Sequence, residues 1–209
     1  MATLGSTGKS DPRRFDGKKK LLLVPLIPMS NALAESNTEL FDRYWREVTN
    51  QIGNLESVLG TVRHIFHEML HDDSEDGLEM MESVSPGSVK LVRYLMGSGS
   101  VLCPFEDPEM LMEMTDWQRC LSIGLVSKGV QEMASEQYRA LTDARNNKVS
   151  ESISTSMKED EVGLLFISEG HTVQFSSDVQ VFYVAPPSSN ELKTAVTELL
   201  TPAEPTPEQ

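Results

Sequence analysis

Two unbroken apolar runs constrain this chain more than any other feature: KLLLVPLI at 20–27 and VGLLFIS at 162–168. A strand with one wet face alternates apolar and polar side chains, whereas a strand buried on both faces reads as a continuous run. Both runs have strand length and fall well short of the ~20 apolar residues that a membrane helix requires. They predict central strands of a sheet covered on both sides. SVLCPFE at 100–106 and VQVFYVAPP at 179–187 add two strand-like segments bounded by turn residues. Strands are therefore expected at 20–27, 101–104, 162–167 and 179–184.

The segments between them carry helical periodicity. Leu40, Tyr44, Val48, Ile52, Leu55 and Leu59 recur every three or four residues, with Ser36 or Asn37 available as an N-cap and Gly60 as the stop. DGLEMMESV and PGSVKLVRYLMGSG read as two short helices. Residues 108–157 read as two or three more, interrupted near Gly124 and Gly129, and SNELKTAVTELL closes the chain, capped by Ser189 or Asn190. Strands alternating with helices define an α/β fold, with a mainly parallel sheet of four to five strands flanked by helices.

Residues 18–200 are read as one domain. Residues 1–17 and 201–209, polar and without apolar periodicity, are read as disordered tails, and a basic patch of Arg13, Arg14 and Lys18 to Lys20 runs from the first into the start of the domain. The formal net charge of −14 makes nucleic acid an unfavourable partner, since such affinity depends on neutralising phosphates. No apolar run suits a membrane span or a signal peptide, and the two cysteines, Cys103 and Cys120, form no disulfide framework or metal-ligand spacing. A cytoplasmic location is expected. No histidine lies near either in sequence, and both read as core thiols, Cys103 in a predicted strand and Cys120 beside an apolar helical stripe.

The chemistry-bearing stretch is VRHIFHEMLHDD at 62–73, with three of the chain's four histidines. It spells H-E-x-x-H at His67, Glu68 and His71, and at these five residues it resembles the zinc metallopeptidases. On a helix, Val62, Ile65, Phe66, Met69 and Leu70 share one face and His67 and His71 the other. The resemblance then implies zinc ligands at His67 and His71, with Glu68 as general base. His171, after the predicted strand LLFIS, is the expected third ligand. His64 lies about 10 Å along the axis from His71 and is excluded from a shared ion.

The competing reading makes the same stretch a strand. Gly60 ends a helix, and the β–α–β rhythm then asks for a strand at 62–70. His67 and His71 would stand about 13 Å apart, and the motif would be coincidence. The strand reading is preferred. It leaves no complete catalytic constellation and no firmly implied cofactor, so a non-catalytic protein binding a ligand or a protein partner is expected, with a zinc-dependent hydrolase as the alternative. Ligands on parallel sheets lie beyond the carboxyl ends of the strands, which here are PMSN, EDPE, SEGH and APPSSN.

Overall fold

The computed structural model describes residues 15–27 and 37–200. The PMSN loop at 28–31 and the segments 1–14 and 201–209 lie outside the described residues. Among those described, the elements run β1 (Lys19–Leu26), α1 (Thr38–Leu59), β2 (Val62–His67), α2 (Glu75–Val84), α3 (Pro86–Gly97), β3 (Val101–Leu102), α4 (Pro108–Ser122), α5 (Lys128–Ser156), β4 (Val162–Ser168), β5 (Val179–Tyr183) and α6 (Ser189–Leu200).

The five strands form one sheet in the order β3-β2-β4-β1-β5, every neighbouring pair parallel. The two apolar runs lie side by side within it, Lys20 opposite Val162 through Leu26 opposite Ser168. Burial on both faces explains their composition. Leu22, Val24, Leu164 and Phe166 pack under α1, α3 and α6, whereas Leu21, Leu23, Leu165 and Ile167 pack under α5.

Connections moving from β1 to β2 and β3 carry their helices on the first face. Those returning to β4 and β5 cross the second, through α5 and through Val173 and Phe175 of the 169–178 segment. Opposite directions must use opposite faces if every crossover has the same hand. Pro25 does not interrupt the sheet, because pairing with β5 stops at Leu23 opposite Tyr183 and needs no N–H from residue 25.

β2 settles the ambiguity at 62–71. Residues 62–67 are a strand between β3 and β4, and Gly60 at φ 108° ends α1 just before it. A bulge opposes Val62 and His64 to consecutive residues of β4, with Arg63 as the extra residue. That extra residue turns Val62 onto the same face as Ile65 and gives the strand its helix-like spacing of three.

Two sequence expectations need correction. The N-terminal tail does not extend to residue 17: Phe15 packs edge-on against Phe182 at 5.0 Å, and the Gly17 N–H donates to Asp160. Nor are the lysines a solvated arm. Lys19 pairs with Asp178 at 2.6 Å, Lys20 with Asp160 at 2.9 Å, and Lys18 donates to Ser177 O.

α1 and α3 meet closely at Gly87. A Cβ there would lie 1.9 Å from Trp45 Nε1 and 2.3 Å from its Cδ1. The indole is rigid and cannot fold aside as an aliphatic chain would. Gly87→Ala is therefore expected to destabilise the protein by about 1–3 kcal/mol, the range for overpacking a filled contact. Denaturant unfolding of the variant beside wild type measures it, and equal midpoints would refute the contact.

Candidate functional site

The carboxyl ends of β2, β3 and β4 carry a charged lock. The Leu70 carbonyl accepts from both Phe105 N and Glu106 N, which ties the loop after β2 to the segment after β3. Glu106 is thereby placed beside Glu68. Arg145, reaching in from α5, donates Nε to Glu106 Oε2 at 2.9 Å and Nη2 to both Glu106 Oε1 and Glu68 Oε1, the latter at 3.1 Å. The second oxygen of Glu68 accepts from the Ser168 N–H at 2.7 Å and from the Ser168 hydroxyl. Burial opposes the charge on Arg145, but the hydrogen bond and charge of Glu106, joined by those of Glu68, outweigh it and hold the guanidinium ionised.

The motif residues do not converge. His67 is fully buried in β2, its ring 5.3 Å from Phe166 on the first face of the sheet. Its Nδ1 faces only the Glu68 carbonyl, at 2.7 Å, and so carries the proton. Nε2 then accepts from the Ser88 hydroxyl at 3.1 Å, although Ser85 O competes for that proton at 2.7 Å. Burial lowers the His67 pKa to about 4. His71 is exposed and faces Met69 O at 3.4 Å, beside an apolar groove lined by Met69, Met80 and Met112. Glu68, the expected base, has its oxygens committed to Arg145 and Ser168.

Of the residues named from sequence, Glu68 and His171 are brought into one electrostatic neighbourhood, which also contains Arg145. Among the described residues, no group of three or more His, Cys, Asp or Glu is placed to hold a metal ion. The helix through His71 that a zinc site required is absent, because those residues form a strand and turn.

A cleft of about 370 Å³ opens where β1, β4 and β5 end. This is the crevice where connections from neighbouring strands leave in opposite directions. β1 leads across β4 towards β2, and β4 leads across β1 towards β5. Leu23, the last residue paired with β5, and Pro25 just beyond it line the cleft. His171 comes from the turn after β4, and Ser189, Asn190 and Lys193 from the first turns of α6.

The start of α6 is fixed by Glu47 of α1, whose carboxylate accepts from the N–H and hydroxyl of Ser188, at 3.0 and 2.6 Å. The cap is Ser188, whose carbonyl accepts from Leu192 N, one residue earlier than the sequence suggested. Two buried atoms of residues at the cleft, Ser189 Oγ and His171 Nδ1, have no hydrogen-bond partner among the described residues. Burial pushes the His171 pKa down, opposed by Glu68 and assisted by Arg145. Lys193 is paired with Glu169 across the mouth.

Glu106, Ser168 and Ser189 lie in or beside loops expected to form the crevice. Arg145 carried no sequence signal, since on α5 it resembles any polar residue of a surface helix. The fold and cleft thus define a parallel α/β protein with a small polar crevice at the carboxyl end of its sheet. Comparison of the chain with protein-family models, curated proteins and solved structures finds no match.

Proposed function

We propose that this protein is a non-catalytic binder of a small polar molecule without net charge, held in the cleft between the ends of β1, β4 and β5. The observation that carries this reading is the pair of buried polar atoms, Ser189 Oγ and His171 Nδ1, unpartnered among the described residues and belonging to two residues that line one cleft. A buried polar atom without a partner costs about 1–3 kcal/mol, so a ligand satisfying both gains affinity by relieving two such costs. The charge balance argues against an ion. Lys193 and Glu169 neutralise each other, and Glu47 already occupies the α6 cap. The volume suits a small metabolite, near the lower end of the usual range of about 300–1,000 Å³.

Glu68 and Arg145 support the cleft from behind, as part of the frame that holds the turn bearing His171. The strand at 62–67 lends no support to the hydrolase alternative.

Zwitterionic amino acids and monosaccharides, titrated at millimolar concentration into the isotopically labelled protein, test the proposal. Saturable shifts at the backbone amides of 168–172 and 186–193 are expected for one of these classes. Ser189→Ala is expected to weaken that binding about tenfold, the equivalent of one hydrogen bond of roughly 1.4 kcal/mol. Shifts that fail to saturate for both classes, or binding unchanged by Ser189→Ala, would overturn it.

A further inference from the structure

At the opposite edge of the sheet, three residues distant in sequence form a hydrogen-bonded row. Cys103, the first residue after β3, places Sγ 3.6 Å from His64 Nδ1, and His64 Nε2 lies 2.9 Å from Glu161 Oε2. The bulge in β2 is what brings them together. It aligns His64 with Val101 and with Gly163, so that His64 and Phe66 share the second face, where Cys103 also packs. The sequence reading of Cys103 as an inert core thiol without a histidine is corrected by this geometry.

The proton positions follow from the partners. The Lys158 backbone N–H, at 2.8 Å, is the main cause that holds Glu161 below the usual carboxylate range, and His64 adds to it against a burial penalty. An ionised carboxylate can only accept, so His64 Nε2 carries the hydrogen and Nδ1 presents a lone pair to the thiol. The thiol can therefore donate to a base that a carboxylate orients, with the Val101 carbonyl as a second acceptor at the same 3.6 Å. Nucleophile, base and orienting group in a row is the arrangement that activates cysteine and serine side chains.

We propose that Cys103 is a nucleophilic thiol that undergoes exchange with low-molecular-weight disulfides, with His64 as its base and Glu161 as the residue that positions His64. In the step, the thiol proton moves to His64 Nδ1 as Sγ attacks one sulfur of the disulfide. The new S–S bond forms, the old one breaks, and the departing thiolate takes the proton back from His64. One protein thiol and one disulfide become a mixed disulfide and one free thiol, and no further oxidant is needed.

The surroundings select this chemistry over acyl transfer. The Cys103 N–H already donates to Ile65 O at 2.8 Å, and residue 104 is proline, so neither adjacent amide is available to an oxyanion. Exchange at sulfur develops no oxyanion. Access is through the sheet edge, where β3 is the last strand, Val101 is exposed and Cys103 is half-buried. Burial, assisted by the charge of Asp73, pushes the Cys103 thiol up, against a hydrogen bond from the Ile65 side that pulls it down. The sulfur is thus a thiol until its base acts, and a thiolate of high pKa is the stronger nucleophile. Glu161, Asp73 and Lys158 are the charged groups around the row, and the two acidic ones favour a cationic disulfide.

Cys120, on α4, supplies an internal control. It is also half-buried and, among the described residues, has no hydrogen-bond partner. Cystamine, a cationic disulfide, is added to the full chain carrying either Cys120→Ser or Cys103→Ser, and adduct formation is followed by intact mass. At pH 7, Cys103 is expected to react at least about tenfold faster than Cys120, with a rate that levels off below the ordinary thiol range near 8.5. His64→Gln should slow Cys103 about tenfold and restore a rate that climbs tenfold per pH unit. Glu161→Gln should slow it several-fold and move the plateau, which a merely structural role would not do. Should His64→Gln fail to fold, the Glu161→Gln rates and the wild-type pH profile decide alone. Equal rates for the two cysteines, an unchanged rate in Glu161→Gln, or a wild-type rate that rises tenfold per unit up to pH 8.5 would each overturn the proposal.

Discussion

Replacing Arg145 by methionine is expected to destabilise the protein by about 3–5 kcal/mol, the cost of leaving buried carboxylates without their counter-ion. The guanidinium spans two acidic side chains, Glu106 at 1% and Glu68 at 14% side-chain exposure, and no other cation bonds either one among the described residues. Methionine keeps the aliphatic volume of the stem but none of the donors. Glu106 would then protonate, drag water into the loop after β3, or release that loop from Leu70. A surface ion pair behaves differently and loses about 1 kcal/mol or less. Denaturant unfolding at pH 7 separates the two cases, and a loss below about 1 kcal/mol would contradict the burial argument. Replacing Glu106 and Glu68 by glutamine in the same chain should recover part of the loss, because the uncompensated charge disappears with them. The lock also sits behind the turn bearing His171, so the Arg145 variant should weaken ligand binding in the cleft even where Ser189 is intact.

The strand positions were legible because burial on both faces leaves a composition that nothing else at that length explains. KLLLVPLI and VGLLFIS became β1 and β4, adjacent at the centre of the sheet. The edge strand β3 was harder to read, and pairing extends only over Val101 and Leu102 where four residues were expected. The 62–71 stretch reads as a strand against a competing helical periodicity, and the bulge explains that periodicity. An inserted Arg63 gives a strand the spacing of a helix turn, and no local rule separates that pattern from an amphipathic helix. The H-E-x-x-H spelling then fell across the end of a strand, where consecutive side chains point to opposite faces. What lies at the candidate sites is largely non-local. Glu68 meets Arg145 across 77 positions, and Cys103 meets His64 across 39. Only the topology brings such pairs together, so the loops of the crevice were readable while their partners on α5 were not.

His67 makes the fold acid-sensitive in a window set by its own burial. Its folded pKa is about 4, against an ordinary value of 6.5 in the unfolded chain. The sign follows from proton counts. Above about pH 6.5 neither state binds a proton at this ring, and the group contributes no pH dependence. Between 6.5 and 4 the unfolded chain binds one proton and the folded chain does not, so stability falls as pH falls. The slope approaches 1.4 kcal/mol per pH unit, and the total is on the order of 3 kcal/mol by pH 4. A protonated ring would gain only the neutral Ser88 oxygen at Nε2, while losing the hydration of a full charge within a dry core. The carboxylates whose pKa values are lowered, Asp178 at about 2 among them, begin to lose their contribution only at about pH 5, and His171, also lowered, adds to the decline, so the share due to His67 is the difference between wild type and variant. Urea unfolding at intervals from pH 7.5 to 4 should show the decline in wild type, and His67→Gln, which cannot titrate, should flatten it whatever its own stability at neutral pH. A wild-type curve flat to pH 4.5, or an identical slope in the variant, would show that the ring takes up its proton without leaving the core.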